Sequence, residues 1–330
     1  MTTTTYGSLS QRTAAYAAVT ALKYAEPTLV LQKFGQSKPM PKNKAETIKF
    51  RRPVPFGAAT TPLTEGVTPS AQAMAYEDVT ATLAQYGMPI EITDKVQDLA
   101  EDPVLKDAMM LAGDQAGSTI EQVLYGVLKA GTNVFYANGS VRTAVNSVIT
   151  KPKLRAVVRA LDAQKAKKIT RVLAPSANYD TAAIEAGYVG VCHTDCKADI
   201  RSLDDFVPAS KYGSRQPVCA EEFGSVEDVR FVASADLDSW ADAGGDKGDM
   251  LSTSDSKADV YPILFFGREA FGCVPLKGHE AITPMVLNPN VPRGGDPMGQ
   301  RGYVSWKTYF AGVILNESWM ARLEVGVTAL

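Results

Sequence analysis

Within five residues the chain places Cys192, His193, Asp195 and Cys196, and thiolate and imidazole are good zinc ligands. A closed zinc site needs a second pair of donors at comparable spacing. The sequence offers only isolated Cys219, Cys273 and His279, so no metal site is expected and these side chains read as ordinary packed or exposed residues. Four cysteines in 330 residues are also too few for a disulfide framework, which points to reduced thiols.

Catalysis has equally little to work with. His193 and His279 are the only histidines, and neither sits in a setting that marks the base of a nucleophile. No G-x-S-x-G elbow, G-x-x-x-x-G-K-[ST] phosphate loop or strand-linked G-x-G-x-x-G is present. The chain therefore reads as a non-enzyme with no catalytic residue and no cofactor.

Two charge clusters remain. Asp236, Asp238, Asp242, Asp246, Asp249, Asp255 and Asp259 are opposed only by Lys247 and Lys257, but their spacing does not match a calcium loop; the nearby Gly244, Gly245 and Gly248 predict a mobile, solvated excursion. Lys151, Lys153, Arg155, Arg159, Lys165, Lys167, Lys168 and Arg171 face a single acid, Asp162. That strip is the one place a phosphate backbone could be met, and the competing reading is a solvated helix face or salt bridges between subunits. No aromatic residues interleave with it, so base stacking is not indicated.

Composition is that of an ordinary globular protein, 45% hydrophobic and 21% charged, with a formal charge of -2 and a pI near 5.8. Such a balance gives no global attraction for polyanions. No apolar run is long enough to span a bilayer, and the opening MTTTTYGSLSQRTAAY lacks the regions of a signal peptide, so synthesis in the cytoplasm is expected.

The elements that must position these residues follow from periodicity. Ala-rich helical signals run from Gln11 to Phe34, followed by an extended arm. Period-two alternation at Ile48 and Phe50 predicts a strand, and Val79, Ala81 and Leu83, continued by Tyr86, Met88, Ile90 and Ile92, predicts its antiparallel return with Gly87 as a bulge. Between them FGAATTPLTEGVTPSAQAMA is far longer than a hairpin loop, and an isolated two-stranded ribbon needs a partner surface.

Asp102 as N-cap, Pro103 at the first position and Gly131 past the end delimit a long helix of roughly 28 residues. Its apolar stripe is Leu105, Met109, Ala112, Ala116, Ile120, Val123, Leu124 and Val127. A second amphipathic helix runs from Pro152 to about Ala166, and a short strand from Ile169 to Leu173. Residues from about Ala174 to Asn290 read as a mixed α/β region. At the end, Val304, Trp306 and Phe310 alternate, and Trp319, Ala321, Leu323, Val325 and Val327 share a second face, predicting two antiparallel strands joined by a turn.

This order of elements, carried by TIKFRRPVPFGAATTPLTEGVTPSAQAMAYEDVTATLAQYGMPIEITDKVQDLAEDPVLKDAMM and QRGYVSWKTYFAGVILNESWMARLEVG, resembles the Hong Kong 97-type major capsid proteins of tailed bacteriophages, and among them the coat family of N-four-type phages. The resemblance implies an α+β fold with an N-terminal arm over 1–45, an extended β-ribbon loop over 46–94, a peripheral domain with a spine helix over 95–150, an axial domain over about 151–290 and a return to the peripheral strands over 291–330. It implies hexamers and pentamers closing an icosahedral shell in the virion around double-stranded DNA, with a portal, a decoration protein and a separate scaffolding protein as further partners and no membrane. Arg51 and Arg52 at the ribbon base and Glu65 at its tip are the expected intersubunit contacts. A lysine crosslink on the loop is excluded, because 53–94 holds neither Lys nor Arg. The alternative is a tail or decoration protein, against which the long helix argues.

Overall fold

The computed structural model describes residues 29–99, 103–173, 181–213, 217–276, 283–292 and 294–330. The predicted helix over Gln11–Phe34 lies mostly outside them. Its described end forms a single 3-10 turn, Leu31–Lys33, after which the arm adds a two-residue strand, β1 (Gln36–Ser37).

Next come the ribbon strands β2 (Thr47–Pro53) and β3 (Tyr76–Thr82), then β4 (Ala84–Thr93), a short helix α1 (Asp94–Leu99) and the long helix α2 (Val104–Lys129). Strand β5 (Val134–Tyr136), helix α3 (Lys151–Ala163), β6 (Ile169–Leu173), β7 (Thr181–His193) and helix α4 (Lys197–Arg201) follow. The remaining strands are β8 (Val207–Pro208), β9 (Glu222–Val226), β10 (Val229–Ser234), β11 (Tyr261–Phe266), β12 (Phe271–Pro275), β13 (Thr283–Leu287), β14 (Arg301–Ile314) and β15 (Met320–Val325).

They form three sheets. An eight-stranded sheet runs β5-β15-β11-β7-β10-β9-β8 with β6 beside β7; a five-stranded sheet has β14 paired with β12, β13 and β4, and β1 beside β12; β2 and β3 pair alone. The architecture is α+β. Helix α2, 26 residues and about 39 Å long, packs across β14. Gly312 allows that approach: a Cβ there would lie 2.7 Å from Leu124 Cδ1.

Several expectations change on folding. The return strand of the ribbon is split at Leu83: β3 pairs with β2, whereas β4 leaves the ribbon and pairs with β14 over ten residues. The period-two pattern is continuous through both because each half turns an apolar side toward a different core, the first against Met40 and Val274, the second toward helix α2. Gly87 is no bulge. It stays in register opposite Lys307, and a Cβ there would meet the Trp306 carbonyl oxygen at 2.5 Å, so glycine serves close backbone approach.

The two C-terminal strands do not pair with each other. β14 belongs to the five-stranded sheet and β15 to the eight-stranded one, joined by a 3-10 turn at Glu317–Trp319 whose entry is capped by Asn316 Oδ1 accepting from the Ser318 N–H. Every residue of β15 is buried, so both of its faces are covered and Arg322 and Glu324, which alternate with the predicted apolar face, are enclosed as well. Helix α2 starts at Val104 with Pro103 as its cap, and Asp102 lies outside the described residues.

Arg322 and Glu324 anchor the junction. Glu324, fully buried, accepts two 2.8 Å hydrogen bonds from Arg142 and one of 2.9 Å from Arg322. Arg322 also donates to the carbonyls of Lys129 and Gly131, satisfying the C-terminal end of α2. Trp240 stacks in the same cluster, its ring centroid 3.5 Å from the Arg142 guanidinium carbon and 4.1 Å from Lys129 Nζ. Removing the acid would strand Arg322 in the interior. Glu324→Ala is therefore expected to cost about 3 kcal/mol of unfolding free energy in denaturant titration, the lower end of the range for a broken buried pair because Arg142 is partly exposed. A loss below about 1 kcal/mol, the range of a surface pair, would deny the cluster this role.

Candidate assembly surface

The ribbon owes its pairing to alternation. Ile48 and Phe50 on β2 meet Ala81 and Val79 on β3, and this face packs on Met40 of the arm and on Val274, Ala311 and Val313 of the five-stranded sheet. Beyond Phe50 and Val79 the strand pair is exposed on both faces and held by ionic cross-strand pairs. Arg51 donates to Asp78 at 2.7 and 3.0 Å, and Arg52 to Glu77 at 2.9 and 2.6 Å. Each pair sits directly opposite in the register, where charge complementarity favours pairing. The hydrogen bond from Arg51 also holds the Asp78 carboxyl below the usual carboxylate range.

Beyond Pro53 nothing packs. The loop from Val54 to Ala75 is closed at its base by the Val54 N–H donating to the Ala75 carbonyl and turned at its tip by the Val67 N–H donating to the Thr64 carbonyl, with Gly66 at φ +76. All its residues are exposed, Leu63 at 78%, Val67 and Met74 at 63% and Phe56 at 51%. Glu65 stands at the tip with no ion-pair partner among the described residues. Soluble monomers rarely leave so many large apolar side chains in water without a binding role.

A second feature lies where β4 meets α2. A groove of about 740 Å³ is lined by Met88, Pro89, Ile90, Leu111, Asp114 and Gln115, and both Met88 and Leu111 are more than half exposed. Pro89 blunts this edge of the sheet against further strand pairing.

The basic strip is partly neutralised within the chain. Lys151 pairs with Asp205 and lies 3.7 Å from Glu227; Arg155 donates to Glu227 at 2.9 Å; Lys168 reaches Asp228 at 3.0 Å and Lys167 reaches Glu269 at 3.9 Å. Those acids sit in loops far away in sequence, so the local count of one opposing acid missed them. Asp162 itself accepts from the Tyr188 hydroxyl at 2.7 Å. Lys153, Arg159 and Lys165 keep no ion-pair partner among the described residues, and the side chain of Arg171 is outside them.

The acidic segment is hydrogen-bonded within itself. Buried Asp259 accepts from the backbone N–H groups of Asp242 and Thr253 and from the Thr253 hydroxyl, Asp242 accepts from Ser252 and Ser254, and Lys247 and Lys257 pair with Asp255 and Asp246. Short Asp, Ser and Thr side chains supply a hydrogen-bonded frame in place of an apolar core.

Cys192 and Cys196 are packed in the core of the eight-stranded sheet, and burial pushes Cys192 up to about 12 and Cys196 well above an ordinary thiol. Between them His193 Nδ1 accepts from the Asp195 N–H, and Asp195 accepts from the Tyr261 hydroxyl at 2.9 Å. Among the described residues no three metal donors converge; His279 is outside them. Also missed by periodicity was Glu121, which interrupts the apolar side of α2 and is fully buried.

A family model described as phage capsid protein matches residues 76–323, three quarters of the chain. The chain belongs to the phage capsid protein family. Family membership makes it a structural protein and not an enzyme. It is 21% identical over 263 residues to the major capsid protein of Pseudomonas phage KPP21, covering 73% of this chain and 66% of that relative, just under two thirds of its length. Its fold resembles the capsid of Ralstonia phage GP4, with a TM-score of 0.68 at 11% identity over 91% of each chain, and the capsid of Cyanophage Pam1, with a TM-score of 0.62 at 12% identity over 93% of each. No helix among the described residues is long and apolar enough to cross a membrane.

The packed cysteines make a chemical prediction. Cys192 and Cys196 are expected to resist alkylation by iodoacetamide near neutral pH in the folded protein and to react at once in denaturant; native labelling as fast as that of a free thiol would contradict this burial.

Proposed function

We propose that the chain is the major shell subunit of a tailed-phage head, built on the Hong Kong 97-type fold and assembled into the hexamers and pentamers of an icosahedral capsid around double-stranded DNA. The observation that carries this reading is the ribbon and its loop, outstretched with Phe56, Leu63, Val67 and Met74 in water. The root of the ribbon packs on its own chain, but the loop beyond Pro53 buries too little to offset its own ordering, so its stability has to come from a surface on another copy. The groove between β4 and α2, apolar at Met88 and Leu111, is the surface we assign to receive it.

In this reading 1–45 is the N-terminal arm, 46–94 the extended loop, 95–150 the peripheral domain with α2 as spine helix, and about 151–290 the axial domain. The final 40 residues return through β14 to the peripheral sheet and add β15 to the other. Arg51, Arg52 and Glu65 supply polar contacts at the interface, the two arginines already oriented by Asp78 and Glu77. DNA contact falls to Lys153, Arg159 and Lys165, whose charges are uncompensated within the described chain. The portal, a separate scaffolding protein and a decoration protein complete the partner set, and the subunit is made in the host cytoplasm before entering the virion.

The test is to replace Phe56 and Leu63 together by Asp. Particle yield in negative-stain microscopy is expected to fall at least tenfold while the melting curve of the subunit stays unchanged, because these side chains are not packed in their own chain. Wild-type-like particles from this variant would overturn the reading.

A further inference from the structure

Glu121 has no assigned role and an improbable position. It lies within the apolar side of α2, fully buried, between Ile120 and Leu124 of the same core. Its carboxylate holds the arm: Oε1 accepts from the Leu31 N–H at 2.9 Å, and Oε2 from the Val30 and Leu31 N–H groups, each at 3.2 Å. Val30 and Leu31 stand at the start of the described arm, directly after Leu29.

Among the described residues no cation is bonded to Glu121. Lys33, the nearest positive group of the described arm, donates instead to Glu221 at 2.9 and 3.0 Å. From the acidic segment Asp236, bonded by Ser118, adds a like charge, and from β12 the Cys273 thiol faces the same space. A buried carboxylate in these surroundings has two amide donors and, among the described residues, no bonded cation, with Lys33 acting on it only at a distance.

We propose that Glu121 is a proton-dependent clamp on the N-terminal arm, holding Val30 and Leu31 tightly against the long helix when protonated and loosening them when ionised. Desolvation is the larger influence and outweighs the two amide hydrogen bonds and Lys33, raising the carboxyl to about 7. With the arm lifted, Glu121 meets water and returns to the ordinary carboxylate range. The docked state thus binds the proton more tightly. Its advantage is complete below the ordinary range and is lost as pH rises through about 7. The clamp would therefore set the arm's hold on the fold by pH in the neutral range, independently of what the exposed ribbon binds.

Hydrogen–deuterium exchange on the full-length protein tests this, reading the peptide over 29–34 against one from β11 as internal control and correcting for intrinsic exchange. Between about pH 5.5 and about pH 8.5 the protection of 29–34 is expected to fall roughly 30-fold while β11 stays constant. Glu121→Gln, which keeps a carbonyl acceptor but no titrating proton, should flatten the dependence to under about twofold. Asp236→Asn removes the like charge and should move the midpoint to lower pH, giving a second readout if the Gln variant does not fold. Equal protection of 29–34 at both pH values in the wild type, or an unshifted midpoint in Asp236→Asn, would overturn the proposal.

Discussion

Glu324 is a carboxylate on a strand covered on both faces, and it is tolerable there only because Arg142 and Arg322 converge on it. The rest of the fold depends on that neutralisation. Through those two guanidiniums the cluster reaches the C-terminal end of α2, the turn after β5 and the stacked indole of Trp240. Four segments remote in sequence are thereby fixed at one point. The five-stranded sheet and the eight-stranded sheet meet across the same helix, so the ribbon projects from a rigid base.

That rigidity matters because the ribbon has none of its own. Its root is bonded to a packed sheet by Phe50, Ala81 and Leu83, its stem is laced by exposed arginine–carboxylate pairs, and its loop stands wholly in solvent. The gradient from core to solvent runs along a single strand pair. Exposed ion pairs orient side chains with little net stabilisation, so what they contribute is shape, a stem held straight enough to present its apolar loop.

Charge follows the same division. Many of the acids and bases that look like functional clusters are used inside the subunit: Lys151 and Arg155 of α3 are matched by Asp205 and Glu227, Lys167 and Lys168 after it by Glu269 and Asp228, and the aspartates near 242–259 frame a loop. Lys153, Arg159 and Lys165 remain outside that pairing among the described residues. In the interior, Glu121 is a carboxylate whose partners are two amides of the arm.

Period and punctuation in the sequence determined the elements: α2 from its stripe and its glycine stop, α3, the alternation of β2, β3 and β14, and a loop too long to be a hairpin. They also determined the absence of a usable nucleophile, base or phosphate loop in its motifs. Only the tertiary structure decided where strands went. A period of two says which side of a strand is apolar and nothing about which neighbour covers it, so the division at Leu83, the separation of β14 from β15 and the double burial of Arg322 and Glu324 were invisible. The same holds for charge: whether a lysine or a glutamate is free depends on residues remote in sequence that folding brings within a few ångströms, as Arg142 and Glu324 show at a separation of 182. Hydrophobic pattern is local and survives in sequence, whereas partnership is a property of distance in space.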